Sequence, residues 1–237
     1  FGAEWSELAR RMRELVRAVG AVFDAWETAG QLAFEGDFYR HTLMIPAFDP
    51  GPNPFGRPPV YVGGFGPRMV AVAGEVGDGL ITHPFTTRES LETITLPALE
   101  RGLRASGRTR ADVQVVCATL VVTSDREEEL DRLRGVARRQ LAFYGSTPAY
   151  ASTLERQGWG DLHPELNRLS KDGRWDDMAH LIDDDVLDAI AVVGDPASIA
   201  PKLRARLDGI ADAVSLTNNR APDPDHWAGV VADLKRV

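Results

Sequence analysis

Pro59-Val60-Tyr61-Val62-Gly63-Gly64-Phe65-Gly66-Pro67-Arg68 is the stretch whose reading decides the fold of this chain. A short apolar run stops at a glycine cluster. Pro67 then opens a segment rich in valine and alanine. The stretch reads as a strand, a tight turn and the start of a helix. Gly63, Gly64 and Gly66 let the backbone adopt positive φ and approach a ligand closely. Pro67 suits the first helical position, where its missing N–H costs nothing. The free N–H groups of that turn, together with the macrodipole, would form an anion site at the glycines. Arg68 sits where the dipole disfavours a cation, a conflict that a bound phosphate would offset. The alternative is an ordinary strand-to-helix turn with Arg68 in solvent.

On the N-terminal side, Trp5, Leu8, Met12, Leu15, Val16, Val19, Val22, Phe23 and Trp26 recur at three- and four-residue steps. They predict a long amphipathic helix ending at Gly30. Leu32 to Tyr39 reads as a hairpin turning at Gly36-Asp37. A proline-rich loop follows from Pro46 to Pro59. On the C-terminal side the helix opened by Pro67 closes at Gly77, and Leu80-Ile81-Thr82 is a buried strand. Thr86 and Glu89 fit a capping box, with Pro97 kinking or restarting the helix they open. Val113 to Thr123 is the next strand. Ser124 and Glu127 make a second capping box before a charged helix running to about Tyr144.

Residues 146–190 carry Trp159, Leu166, Trp175, Leu181 and Leu187 in helical pieces and read as a packed insertion. Ala191-Val192-Val193 is a short extended piece, and Asp195-Pro196 a helix start. Ala213 to Leu216 is the last main strand, followed by Asn218, Asn219 and Arg220 and a closing helix from Asp223-Pro224. Strand–helix alternation repeats four times, a parallel α/β pattern. Four such units fall short of the eight that close a barrel. The chain is therefore expected to be one domain, 1–237, forming either a small open sheet or the second half of a barrel.

A net charge of −8 over 237 residues argues against nucleic acid or an anionic membrane as partner. No apolar run approaches the roughly 20 residues that span a bilayer. Cys117 is the one cysteine and lies in an apolar run, so a reducing cytoplasm and a buried, unreactive thiol are expected. The chain opens on Phe1 rather than Met, which reads as a processed or truncated product. His41, His163, His180 and His226 lack metal-ligand spacing, and no metal is expected. Asp183-Asp184-Asp185 reads better as a solvated helix start than as a cation site. No serine–histidine–acid set, Walker motif or paired CxxC occurs, and the glycine turn lacks the GxGxxG spacing of a Rossmann fingerprint.

Read together, Pro59 to Pro67, Val76-Gly77-Asp78-Gly79-Leu80-Ile81-Thr82-His83-Pro84-Phe85 and Val192-Val193-Gly194-Asp195-Pro196 resemble the luciferase-like monooxygenase superfamily. Arg11-Met12-Arg13-Glu14 and Phe34-Glu35-Gly36-Asp37-Phe38-Tyr39 are similar to its branch dependent on the deazaflavin coenzyme F-420. The resemblance implies a (β/α)8 TIM barrel, of which this chain holds about the C-terminal half, strands five to eight plus the helical insertion. It implies an oxidoreductase passing a hydride between coenzyme F-420 and a small organic substrate. An FMN-dependent monooxygenase is the alternative, or a non-catalytic flavin-binding relative lacking the N-terminal half.

It also implies that Gly63, Gly64, Phe65 and Gly66 contact the phosphate-bearing tail of the cofactor, with Arg68 as an added charge. Thr82 and His83 fall on the rim where barrel active sites lie, and Pro84 holds His83 extended. The catalytic acid–base groups of the family belong to strands without counterpart here, so the catalytic residues stay unassigned. The exposed edges of a half barrel predict a homo-oligomer.

Overall fold

The computed structural model describes residues 6–217 and 224–236. The expectations placed on Trp5, on Asn218, Asn219 and Arg220, and on Asp223 lie outside the described residues. The elements run α1 (Leu8–Thr28), β1 (Phe34–Glu35), β2 (Arg40–His41), β3 (Tyr61–Gly64), α2 (Pro67–Val76), β4 (Gly79–Thr82) and α3 (Arg88–Ser90). A π-helical turn, Leu91–Thr95, leads into α4 (Leu96–Ala105), β5 (Gln114–Thr123) and α5 (Glu127–Gly145). Then come α6 (Ala151–Arg156), α7 (Leu162–Lys171), α8 (Trp175–Ala179), α9 (Asp184–Ile190), β6 (Val192–Gly194), α10 (Pro196–Leu207), β7 (Ala213–Thr217) and α11 (Pro224–Lys235). The chain divides into two compact units, one of Phe1–Ile81 with Ile94–Val115, the other of Thr82–Thr93 with Val116–Val237.

In the first unit β3 and β4 are hydrogen-bonded neighbours. Asp78 fixes the approach to both strands. Its Oδ2 accepts from the Val60 N–H at 2.7 Å, and its own N–H donates to the Val60 carbonyl at 2.8 Å. Helices α2 and α4 pack backbone to backbone because glycine stands at the contact. A Cβ on Gly102 would lie 2.0 Å from the Ala71 carbonyl oxygen, and one on Gly74 2.5 Å from that of Leu99.

Helix α1 is tied to α2 by Arg13, whose Nη2 donates to Glu75 Oε1 at 2.9 Å. One turn of α1 also organises the β1–β2 hairpin. Its Glu14 carboxylate accepts the N–H groups of Asp37 (3.0 Å), Phe38 (2.7 Å) and Tyr39 (2.7 Å). Burial alone would raise the Glu14 pKa, but these backbone donors outweigh it and the net shift is downward.

In the second unit β5 is the organising strand. It pairs in parallel with β6 through Val121↔Val192 to Thr123↔Gly194, and in parallel with β7 through Val116↔Ala213 to Leu120↔Thr217. Parallel pairing needs crossover connections, and the helices between the strands supply them. Leu120 and Val122 enter a core with Phe85, Leu141, Leu154, Leu166, Met178 and Ile190, all buried. The 146–190 segment is thus packed, with Leu166 and Leu187 inside this core and Trp159 and Leu181 against it.

Four local expectations need correction. The helix after β4 is capped by Thr87 and not Thr86: Thr87 Oγ1 accepts from the Ser90 N–H, and Ser90 Oγ accepts from the Thr87 N–H. Thr86 Oγ1 is instead committed to the His83 carbonyl. Helix α5 starts after Arg126 with no side-chain cap, since Ser124 Oγ bonds the Glu129 carboxylate and the Arg126 N–H. Trp175 does not pack inside the insertion but is 51 % exposed. The extended piece read at Ala191–Val193 is a sheet strand, β6 at Val192–Gly194, so the sheet has five strands where four were counted from sequence. Pro97 restarts the helix as expected, at the beginning of α4 and directly after the π-helical turn.

Candidate functional site

In the first unit β3 runs straight into the glycine turn, and Gly66 is the N-cap of α2. Gly66 has φ −76° and ψ 152°, and none of Gly63, Gly64 and Gly66 is among the positive-φ glycines. The turn does not use the positive φ that glycine allows; what it uses is the missing side chain. A Cβ on Gly64 would crowd Leu80 Cδ1 at 3.0 Å and the Val70 nitrogen at 3.3 Å, so this glycine serves packing. Gly63 and Gly66 meet nothing within 4 Å, so their bare faces open outward.

The Gly66 carbonyl accepts the N–H groups of Met69 (3.0 Å) and Val70 (3.1 Å), and Pro67 has none to offer, so among the described residues the Arg68 N–H is the first-turn amide left without a helical carbonyl. Beside Gly66, Pro67, Arg68 and Met69 lies a groove of about 970 Å³, walled on the other side by Glu7, Leu8, Ala9 and Arg10 at the start of α1. Two helix N-termini and two arginines therefore border one groove. Arg68 is exposed and makes no ion pair among the described residues. Arg10 is shared between Glu7 and Asp37. Glu7 holds a left-handed backbone, φ 48°, a strained conformation for a residue with a side chain.

In the second unit Thr82, the last residue of β4, is 3 % exposed, and its Oγ1 has no hydrogen-bond partner among the described residues. Thr123, the last residue of β5, shows the same condition at 2 % exposure. A buried hydroxyl without a partner costs roughly 1–3 kcal/mol. A buried hydroxyl in that condition calls for a partner, which a water, an ion or a ligand atom can supply.

His83 follows Thr82. The Phe85 N–H donates to its Nδ1 at 3.1 Å, which places the ring proton of the neutral form on Nε2. Its ring stacks on Tyr150 at 4.6 Å and meets Tyr144 edge-on at 4.8 Å. Burial pushes the His83 pKa down, which keeps the imidazole neutral at pH 7. Tyr144 Oη accepts from Gln140 Nε2 at 2.7 Å. The arrangement presents aromatic faces and hydrogen-bonding groups, as a site for a planar organic molecule does.

Of the residues singled out from sequence, Gly63, Gly64, Phe65, Gly66 and Arg68 stand together in the first unit, and Thr82 and His83 in the second. Sequence reading missed Thr123, Tyr144 and Tyr150. Thr123 carried the signal that Thr82 did, a polar residue ending an apolar strand. The two tyrosines carried none, because only folding brings them to His83. Asp183 caps α9 through the Val186 N–H at 2.9 Å, so the acidic run is a helix start. Among the described residues no cluster of metal-ligating side chains occurs, and no helix is long and apolar enough to cross a membrane.

The family described as luciferase-like monooxygenase matches residues 1–213. An uncharacterised protein of Mycobacterium tuberculosis is 47 % identical over 214 residues, 90 % of this chain and 63 % of that one. The F420-dependent glucose-6-phosphate dehydrogenase of Intrasporangium calvum is 31 % identical over 87 % of this chain and 55 % of its own length. Among solved structures, the coenzyme F420 dependent tetrahydromethanopterin reductase of Methanopyrus kandleri superposes with a TM-score of 0.71. It is 21 % identical, covering 93 % of this chain and 61 % of that one, and shows likeness of fold. The chain thus spans about three fifths of the length of the relatives it matches.

Proposed function

The chain belongs to the luciferase-like monooxygenase family, and from that premise we propose that it is part of an oxidoreductase passing a hydride between coenzyme F-420 and a small organic substrate. The observation that carries this reading is the glycine turn at the N-terminus of α2, open at Gly63 and Gly66 and bordered by a groove with Arg10 and Arg68. The donor set suits a phosphate-bearing tail. The Arg68 N–H at the start of the helix and the Arg68 guanidinium, which has no ion pair among the described residues, attract phosphate oxygens, and the absence of a Cβ on Gly63 and Gly66 gives them room. The choice of F-420 over FMN rests on relatives named for that coenzyme.

When bound, the deazaflavin would supply the two-electron hydride chemistry. The chain's own residues would bind and orient. Gly63, Gly64, Phe65 and Gly66 would hold the tail by backbone contact, and Arg68 would add charge. In the second unit, Thr82 would give its buried hydroxyl a ligand partner. His83, fixed by the Phe85 N–H and flanked by Tyr144 and Tyr150, would set its ring beside the cofactor or substrate. We further propose that the strands correspond to the C-terminal part of a (β/α)8 barrel.

Titration of the purified protein with coenzyme F-420 and with FMN tests the reading. Deazaflavin binding is expected, weakened about tenfold in Arg68→Ala, the size of one charge-assisted hydrogen bond. Tighter FMN binding would favour the monooxygenase alternative. Absence of both would overturn the cofactor assignment for this chain.

A further inference from the structure

The second unit contains a cavity of about 520 Å³ lined by Arg134, Asp188, Val193, Lys202 and Arg206, among others. Its charges are unevenly paired. Arg134 is already neutralised by Glu127 at 3.1 Å and Asp131 at 2.7 Å. Arg206 and Lys202 are not. Arg206 Nη2 donates to the Thr86 carbonyl at 2.6 Å and Nη1 reaches the Ala191 carbonyl at 3.5 Å. Lys202 Nζ donates to the Val193 carbonyl at 2.6 Å. Neither makes an ion pair with a carboxylate among the described residues. Carbonyl oxygens satisfy single donors but leave the charge uncompensated, and a guanidinium has five N–H groups to place.

The two cations stand four residues apart on α10, a spacing at which like charges repel. Burial drives the Arg206 pKa down to about 10, the cost of holding this charge without a counter-ion. Gly194 leaves room beside them: a Cβ there would crowd Ser198 Oγ first and lie 3.1 Å from Lys202 Nζ. Among the described residues Asp188 is the one carboxylate on the cavity wall; it is exposed and makes no ion pair of its own.

We propose that this cavity is an anion site for a phosphate monoester, independent of the glycine turn. Arg206 and Lys202 take the charged oxygens. Asp188 accepts the O–H of the monoprotonated phosphate or a hydroxyl of the esterified group. A carboxylate ligand has no proton to give Asp188 at neutral pH, and sulfate has none either. The same three side chains therefore select phosphate over both. The cavity is larger than a phosphate ion, which leaves room for a small organic group.

Calorimetric titration of the full chain with inorganic phosphate, glycerol 3-phosphate and sulfate tests the proposal. Phosphate and its ester are expected to bind, and sulfate more weakly. Lys202→Ala is expected to weaken phosphate by about tenfold or more, the loss of a charged hydrogen bond. Asp188→Asn is expected to abolish the preference over sulfate. Both substitutions are at exposed positions and leave the core intact. Lack of phosphate binding would overturn the proposal, as would binding indifferent to Lys202→Ala. Binding lost in Arg68→Ala but kept in Lys202→Ala would move the anion to the glycine turn and equally overturn it. Loss of F-420 binding with phosphate binding kept would sink only the cofactor reading.

Discussion

At the residue scale, the glycines of the turn do unlike jobs. Gly64 is required by packing against Val70 and Leu80, whereas Gly63 and Gly66 face open space. Sequence marks all three alike, because a glycine gives no sign of which neighbour it makes room for. His83 shows the same limit. Its place before Pro84 was legible, but its pairing with Tyr144 and Tyr150 was not. Its depressed pKa has a consequence for stability. A histidine whose folded pKa lies below the unfolded value of about 6.5 resists a proton that the unfolded chain accepts. Its contribution is therefore full above that value and is lost as pH falls through it. Urea unfolding at about pH 7.5 and about pH 5 should show a larger loss of stability on acidification in the wild type than in His83→Gln. Equal losses would mean that the ring is solvated.

At the element scale, the strands were readable from their apolar runs and the helices from Gly–Pro punctuation. Boundaries and caps were less so. Thr86 and Thr87 are chemically identical candidates for the cap, and the choice falls to Thr87 because Ser90 reciprocates its hydrogen bond. The contact between α2 and α4 was also invisible, since glycines at helix interiors read only as weak helix formers. In the fold they set the interhelical distance. Gly102→Ala would place a methyl 2.0 Å from the Ala71 carbonyl oxygen, against backbone that cannot swing aside. It should destabilise the protein by about 3 kcal/mol or more, at the upper end of overpacking costs. Chemical denaturation measures this; an unchanged midpoint would show that α2 and α4 can separate freely.

For the whole molecule, the two compact units have separate chemistry. The first carries the glycine turn and its groove, the second the aromatic cluster around His83 and the cation-lined cavity. The second unit has a core in which Leu166 of α7 is fully buried and packs with Phe85, Leu141 and Leu154. Leu166→Ala should cost about 2–5 kcal/mol, the usual loss on opening a cavity at a closed site. Denaturant unfolding followed by tryptophan emission reports it, since Trp159 packs against this core. A loss below about 1 kcal/mol would mean that the insertion is loosely attached.

The sequence by itself determined the α/β class, the parallel strands, the packed character of the 146–190 segment and the glycine turn before α2. These follow from short-range causes: apolar periodicity, backbone propensity and capping chemistry act within a few residues. Only the tertiary structure decided that β6 and β7 share β5 as partner, that Trp175 faces solvent and that Tyr144 and Tyr150 flank His83. It alone left the Thr82 and Thr123 hydroxyls without partners among the described residues, and brought Lys202 and Arg206 to one cavity with no carboxylate paired to them there. Each of these depends on which distant segments are excluded from water together, a property that no local stretch of sequence encodes.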